Sequence, residues 1–278
     1  MPELPEVETI KNMLRQLVSS KKIAQVDVYW PKIIKEPDDV EAFKLRLVGQ
    51  TIHDVYRKGK FLLFELDQDM LISHLRMEGK YSLTDKDVPM DKHTHVVFSF
   101  TDGTELRYND VRKFGTMHVF AKGQELLERP LVQLGPDPLE SEFNFVDFYS
   151  KLQRTERAIK AVLLDQTIVA GLGNIYVDET LFKAGVHPLR PAKQLTEKEV
   201  KDIMIQAIET LQQAVKQGGT TIRSYINLEG EIGAFQEALH VYGQENQPCK
   251  KCGTPIEKFK VGGRGTHICS ACQPLKAM

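Results

Sequence analysis

The sequence predicts an α+β protein of more than one domain. We expect an amino-terminal antiparallel β-sandwich with a flanking amino-terminal helix, followed by a helix-two-turn-helix domain with a zinc-finger β-hairpin. Three observations lead to this prediction. Short strand-like runs fill the first half of the chain, helical periodicity replaces them in the second half, and all four cysteines follow residue 248 as two closely spaced pairs. At 278 residues, the chain also exceeds what one hydrophobic core usually supports.

The first element is a helix over residues 3–18, where apolar side chains recur at helical spacing. Pro5 falls within its first turn, where proline is tolerated. Strand-like runs follow without helices between them, which favours an antiparallel sandwich or a barrel, and Asp102-Gly103 between two runs predicts a tight hairpin. These runs cover residues 23–30, 51–56, 61–66, 71–75, 95–100 and 116–120.

The pattern changes around residues 135–138, where a glycine and two prolines indicate a domain boundary. Two helical stretches, 157–165 and 175–184, are joined by two turns, and Thr196 with Glu199 has the spacing of a capping box at the start of a helix that ends at Lys216. We therefore expect domains at 1–135, 151–235 and 240–278, with residues 136–150 as a linker.

Composition narrows the functional classes. Hydrophobic residues make up 41% and charged residues 27% of the chain, and no apolar run approaches the roughly 18 residues of a membrane helix. No signal peptide is evident, so the cytoplasm is the expected location. The formal net charge of −1 is not that of a general polyanion binder, but basic residues cluster locally. Taken alone, any one of these clusters can equally be a solvated face of the protein. The three clusters are Arg57, Lys58 and Lys60; Arg112 and Lys113; and Lys250, Lys251, Lys258, Lys260 and Arg264.

The cysteine spacing predicts a metal site. Cys249 and Cys252 form one C-x-x-C pair, and Cys269 and Cys272 form a second after sixteen residues. Two such pairs can bring four thiolates to one tetrahedral Zn²⁺, and four protein ligands leave no position for substrate, so the zinc is expected to be structural. Free thiols or a redox pair are the alternatives. The metal would hold a small module that can present Lys258, Arg264 and His267 on a hairpin.

Five segments together resemble a known family. Met-Pro-Glu-Leu-Pro-Glu-Val-Glu-Thr opens the chain, followed by Arg-Met-Glu-Gly, Asp-Val-Arg-Lys-Phe-Gly, Asp-Gln-Thr with Gly-Leu-Gly-Asn-Ile-Tyr, and the four-cysteine finger. In this order they are similar to the bacterial formamidopyrimidine-DNA glycosylases, and the similarity covers essentially the whole chain. It implies a bifunctional DNA glycosylase and abasic-site lyase that acts on 8-oxoguanine and formamidopyrimidines in duplex DNA, by β,δ-elimination through a Schiff base.

The resemblance assigns the catalytic chemistry to the amino terminus. The nucleophile is the secondary amine of Pro2, exposed once Met1 is removed, and the positive end of the following helix should lower its pKa. Glu3 is implied to be the proton donor, and Glu6, one turn later, can face the same pocket. Lys60 and Arg264 are implied to be proton donors for β- and δ-elimination. Taken alone, Pro2 reads as a helix starter and the two glutamates as favourable charges at a helix dipole.

The resemblance also implies the DNA contacts. Met77, Arg112 and Phe114 would fill the space left by an extruded base, and Arg112 would recognise the opposite cytosine. A mobile loop at residues 218–226 would read the lesion. The remaining expected DNA-binding residues are His74, Glu78, His93, Asn174, Arg223, Tyr242, Lys258 and Arg264.

Two alternatives stay open at this point. A sister family removes oxidised pyrimidines by the same chemistry, although the Met77, Arg112 and Phe114 set favours the purine enzyme. A zinc-ribbon DNA-binding protein without catalysis is the other alternative, against which intact Pro2, Glu3 and Lys60 argue. The expected partner is double-stranded DNA with oxidised bases or abasic sites, and we expect a monomer with no obligate protein partner and no membrane association.

Overall fold

The computed structural model describes residues 1–220 and 235–275. Within these ranges, the chain forms two compact units, one of residues 1–133 and one that begins at residue 134. Across both described ranges, no helix combines the length and the apolar character needed to cross a membrane.

The first unit combines two helices with nine strands among its described residues. Helix α1 spans Leu4–Val18 and α2 spans Val40–Leu47. The strands are β1 (Ile23–Val28), β2 (Ile34–Glu36), β3 (Asp54–Lys58), β4 (Phe61–Glu65), β5 (Asp69–His74), β6 (Lys80–Asp85), β7 (Thr94–Phe100), β8 (Thr104–Asn109) and β9 (Thr116–Ala121).

These strands form two sheets around one core. The first sheet has the order β1-β7-β8-β6 and is antiparallel throughout. The second has the order β2-β9-β5-β4-β3, in which only the short β2 runs parallel to its neighbour. Val96 and Phe98 of the first sheet and Leu62 and Phe64 of the second belong to the same buried cluster. The predicted β-sandwich is therefore confirmed.

Helix α1 packs its apolar face into this cluster, as its periodicity predicts. Val7, Ile10 and Leu14 are at most 1% exposed. Three elements of the first unit were not predicted. Helix α2 lies within the region that reads as strands, with Asp39 accepting a hydrogen bond from the Ala42 amide (2.7 Å) as its N-cap. Strands β2 and β6 also lie outside the predicted runs.

The second unit contains the helix-two-turn-helix. Its helices are α3 (Phe145–Gln153), α4 (Ile159–Leu163), α5 (Asn174–Lys183) and α6 (Glu197–Lys216). Residues 165–173 make the two turns between α4 and α5, where the Gln166 side chain accepts a hydrogen bond from the Gly171 amide (2.9 Å). Helix α6 begins with the predicted capping box of Thr196 and Glu199. The predicted linker at 136–150 includes the first residues of α3.

The second unit ends in a β-hairpin, β10 (Glu257–Val261) paired antiparallel with β11 (Arg264–Ile268). Gly262 and Gly263 both have positive φ angles, which the tight turn between the strands requires and which glycine adopts without strain. The hairpin lies between the two cysteine pairs, so the predicted zinc-finger topology is present.

Candidate functional site

The amino terminus begins α1 with two acidic residues. Pro2 is half-buried, and its nitrogen forms a peptide bond to Met1 in this chain. Glu3 is the N-cap of α1 and is 3% exposed, and the Glu6 carboxylate accepts the Glu3 backbone N–H at 2.9 Å. Glu3 and Glu6 together form a capping box. Glu6 thus fixes the backbone beside Pro2, and its orienting role toward the amine stays a prediction.

Lys60 and His74 are neighbours at one edge of the second sheet. Lys60 follows the turn at Gly59 and is 6% exposed, and the next residue, Phe61, pairs with His74 across β4 and β5. The rings of Phe61 and His74 meet edge-on with centroids 4.5 Å apart. Two of the residues that the sequence nominates are thereby brought together.

The electrostatics of His74 favour the neutral ring. Burial, together with the positive charges of Arg76 and Lys60, lowers the pKa of His74 to about 3. Its Nδ1 accepts a hydrogen bond from the Arg76 backbone N–H (2.9 Å), which leaves the ring proton on Nε2. Nε2 can therefore donate a hydrogen bond to an anion such as a phosphate.

Met77, Arg112 and Phe114 lie on two exposed loops, residues 75–79 and 110–115. Met77 is 39% exposed and Phe114 is 52% exposed, so neither is the core residue that its type alone would suggest. The guanidinium carbon of Arg112 lies 4.8 Å from the centre of the Phe114 ring, within cation–π distance.

Glu78 and His93 line one cavity of about 270 Å³ in the first unit, beside Asn109 and Asp110. Glu78 is exposed and His93 is half-buried. The sequence nominates both residues for DNA contacts but gives no reason to place them side by side.

In the second unit, buried polar side chains tie α4 and α5 to strand β11. The Lys160 ammonium lies 2.6 Å from the Asp178 carboxylate and 2.9 Å from the Gly265 carbonyl oxygen, and both charged side chains are at most 1% exposed. The other Asp178 oxygen accepts the His267 backbone N–H (2.9 Å). Asn174 also donates to the Gly265 carbonyl (2.9 Å). The residue next to Arg264 is therefore fixed by two separate helices.

This arrangement corrects one expectation. His267 is buried among these groups rather than presented on the hairpin surface, because both its backbone N–H and its ring Nδ1 face Asp178. Lys258 and Arg264 are exposed, as expected of phosphate contacts, and Lys258 pairs with Glu245 at 3.2 Å.

Tyr242 is held by a buried carboxylate. Glu179, 1% exposed, accepts backbone N–H groups from His240, Val241 and Tyr242, each at 2.9 Å. These hydrogen bonds, with one from the His240 ring, hold the pKa of Glu179 below its ordinary value against the opposing effect of burial. Arg223 and residues 221–226 of the expected lesion-reading loop lie outside the described residues.

The four cysteines form a metal centre. Their Sγ atoms all lie within 4.8 Å of one another, compared with about 3.8 Å between sulfurs around a tetrahedral zinc with Zn–S bonds of about 2.3 Å. The Lys251 amide points at Cys249 Sγ (3.4 Å), as expected around a thiolate ligand. Four soft sulfur donors with no position for substrate fit a structural Zn²⁺ ion.

Sequence reasoning missed the buried groups that hold these residues in place: Asp110, Lys160, Asp178 and Glu179. Asp110 stands inside the Asp-Val-Arg-Lys-Phe-Gly segment, which is the one available signal. The others contact residues that are far away along the chain.

Family models match the chain in order. The formamidopyrimidine-DNA glycosylase N-terminal domain matches residues 1–117, the H2TH domain of the same enzymes matches residues 134–225, and a zinc finger found in FPG and IleRS matches residues 246–275. A β-sandwich with an amino-terminal helix, a helix-two-turn-helix and a four-cysteine finger in one chain defines a DNA-repair glycosylase.

Relatives that match along nearly the whole chain identify the family of glycosylases. Formamidopyrimidine-DNA glycosylase of Oceanobacillus iheyensis is 61% identical over 276 residues, which are 99% of each chain. That of Bacillus subtilis is 55% identical over 276 residues, 99% of this chain and 100% of the relative. Lactococcus lactis Fpg in complex with DNA containing an abasic site has a TM-score of 0.92 and 43% identity, over 99% of this chain and 100% of that one. The chain belongs to the formamidopyrimidine-DNA glycosylase family.

Proposed function

We propose that this protein excises oxidised purines, 8-oxoguanine and formamidopyrimidines, from duplex DNA and then cleaves the abasic site at both its 3′ and 5′ sides. Similarity to formamidopyrimidine-DNA glycosylases over 99% of the chain supports the activity. One observation carries the assignment of residues: the half-buried Pro2 directly precedes the buried carboxyl of Glu3 at the start of α1.

The first step needs a free amine at Pro2, so Met1 must be removed. The Pro2 nitrogen then attacks C1′ of the damaged nucleotide, the bond from C1′ to the base breaks, and the base leaves with a proton. Glu3 donates a proton to the sugar ring oxygen as the ring opens. The product is a positively charged iminium between Pro2 and C1′, because a secondary amine has no second proton to lose.

The iminium is the electron sink for strand cleavage. Loss of a proton from C2′ expels the 3′ phosphate, and a further proton loss expels the 5′ phosphate. Lys60 supplies a proton for the first elimination and Arg264 for the second. Lys60 is only 6% exposed, so its ammonium group lies at a largely buried position.

DNA binding uses both units. His74, with its proton on Nε2, donates to a phosphate, and Lys258, Arg264, Tyr242 and Asn174 bind the backbone from the second unit. Met77, Arg112 and Phe114 fill the space of the extruded base, and Arg223 with the loop at 218–226 reads the lesion. Glu78 and His93 contact the DNA from their shared cavity.

Cys249, Cys252, Cys269 and Cys272 would hold a zinc ion that closes the finger around the β10–β11 hairpin, which carries Lys258 and Arg264. We further propose that the protein acts as a monomer on chromosomal DNA, in the cytoplasm and at the nucleoid.

Borohydride trapping tests the proposal. Protein from which Met1 has been removed should form a covalent complex with a duplex containing 8-oxoguanine opposite cytosine, and much less with one containing an oxidised pyrimidine. The matched control is the same protein with one residue added before Pro2, which should bind the duplex without being trapped. Preferential trapping on the oxidised pyrimidine would assign the protein the specificity of the sister family, which removes oxidised pyrimidines. Trapping on neither duplex would refute the proposed catalysis.

A further inference from the structure

The two loops that carry Met77, Arg112 and Phe114 run side by side. Loop 75–79 leads from β5 to β6, and loop 110–115 leads from β8 to β9. His74 and Thr116 pair where the loops leave the second sheet, and Lys80 and Asn109 pair where they leave the first. Both loops therefore cross between the two sheets at the same edge of the sandwich.

A buried carboxylate holds the second loop. Asp110 is 1% exposed, and its side chain accepts backbone N–H groups from Arg112 (3.0 Å), Phe114 (2.9 Å) and Gly115 (2.8 Å). The Asp110 carbonyl oxygen accepts from His95 Nε2 at 2.8 Å. Three hydrogen bonds to one charged group fix the backbone on both sides of Lys113.

Tyr108 connects this carboxylate to the first loop. It is fully buried, and its hydroxyl group lies 3.5 Å from Asp110 Oδ2. The same hydroxyl packs against Gly79 of the first loop and Gly115 of the second, so closely that a Cβ atom on either glycine would overlap it. Glycine is required at both positions by this close approach.

Each loop also holds one residue in the left-handed region. Arg76, directly before Met77, has φ +54°, and Lys113, between Arg112 and Phe114, has φ +59°. Such conformations are costly for residues other than glycine and persist where the surroundings determine them. The Lys113 ammonium lies 4.1 Å from the centre of the Trp30 ring, within cation–π distance.

We propose that Asp110 and Tyr108 are positioning residues that lock the two loops into one unit. The lock delivers Met77, Arg112 and Phe114 together to the space vacated by the damaged base. This inference rests on the proposed function of those three side chains. A loosened loop would slow the extrusion of a base, whereas an abasic site has no base to extrude and would be cleaved at nearly the ordinary rate.

The test compares Asp110→Asn with Glu125→Gln under single-turnover conditions. An amide cannot accept all three N–H groups that the Asp110 carboxylate accepts. Glu125 is the matched control because it is 7% exposed, accepts the Gly123 amide (2.6 Å), and lies beyond the opposite end of β9. The measured quantity is the rate of 8-oxoguanine excision divided by the rate of cleavage of a preformed abasic site, which is independent of the active fraction.

We expect this ratio to fall at least about ten-fold in Asp110→Asn, which corresponds to about 1.4 kcal/mol, and to stay within about two-fold in Glu125→Gln. Phe114→Ala should show the same signature. An unchanged ratio in Asp110→Asn would overturn the proposal. If that variant does not fold, Tyr108→Phe takes its place with the same expected direction and the same refuting result.

A second readout needs no DNA and no activity. Trp30 is the single tryptophan of the chain, so its fluorescence reports on Lys113 and its loop. Acrylamide should quench Trp30 more strongly in Asp110→Asn than in Glu125→Gln or the unmodified protein. Equal quenching in all three proteins would overturn the proposed positioning role of Asp110, even if the protein cleaved no DNA. If the unmodified protein cleaved neither the 8-oxoguanine duplex nor the abasic-site duplex, but the quenching differed between the variants as expected, the result would instead count against the proposed function.

Discussion

Replacing Lys160 by methionine removes one partner of a buried ion pair and keeps the volume of the side chain nearly unchanged. The change leaves the Asp178 carboxylate, 1% exposed, without the ammonium that lies 2.6 Å from it. Removing one partner of a buried pair costs about 3–5 kcal/mol, because the remaining charge stays desolvated. For a unit of this size, we expect the melting temperature to fall on the order of 10 °C.

Lys198→Met is the matched control. Lys198 belongs to the same unit and pairs with Asp202 at 2.9 Å, but its side chain is 85% exposed. Exposed pairs of this kind contribute about 0.5 kcal/mol or less. Calorimetry of the zinc-loaded protein, with each unit's transition fitted separately, measures both variants.

The double variant Lys160→Met with Asp178→Asn should regain part of the lost stability, because it removes the unpaired charge as well. A difference of less than about 2 °C between the melting temperatures of Lys160→Met and Lys198→Met, which corresponds to about 0.5–1 kcal/mol, would refute the cost assigned to the buried pair.

Three further predictions concern metal, mechanism and pH. Removing zinc with a chelator should weaken binding to 8-oxoguanine duplex at least about ten-fold, measured by fluorescence anisotropy, and re-added Zn²⁺ should restore it; unchanged affinity would contradict a structural zinc. Glu3→Gln should abolish excision in a gel assay while leaving duplex affinity within about three-fold, whereas full excision would exclude Glu3 as the acid. The pKa of His74 is lowered to about 3 in the folded protein, so the unfolded chain takes up a proton first as the pH falls below about 6.5. Between pH 6.5 and pH 5 the free energy of unfolding should therefore fall by about 1.5 kcal/mol from His74 alone, and His74→Gln should remove that part of the slope in urea titrations.

Elements with local signals were predictable from the sequence. Helix α1 follows from its apolar periodicity, and the start of α6 follows from Thr196 and Glu199, whose contacts span one helical turn. Helix α2 was missed because its eight residues bury only Phe43 and Leu47, too few to set a period. The choice between sandwich and barrel depended on strand order, which is set by pairing between strands distant in sequence.

The residues of the candidate site also divide into those with a local sequence signal and those without one. Residues nominated for contact with DNA stand in short segments that can be recognised individually. The buried groups that hold these residues in place cannot be recognised in this way, because their contacts are distant in sequence. Lys160 contacts Asp178 eighteen residues later, and Glu179 contacts His240 sixty-one residues later. His267 reads as an exposed basic residue until the structure shows it against Asp178. The short sequence segments thus indicated which residues carry the chemistry. The contacts that orient those residues could be seen only in the folded structure.

Mass spectrometry of the borohydride-trapped complex tests whether the amine of Pro2 is the nucleophile. After nuclease and protease digestion, we expect the sugar remnant to be attached to the nitrogen of Pro2 in the amino-terminal peptide. A remnant on the side chain of Lys60 or of any other lysine, with Pro2 unmodified, would contradict it.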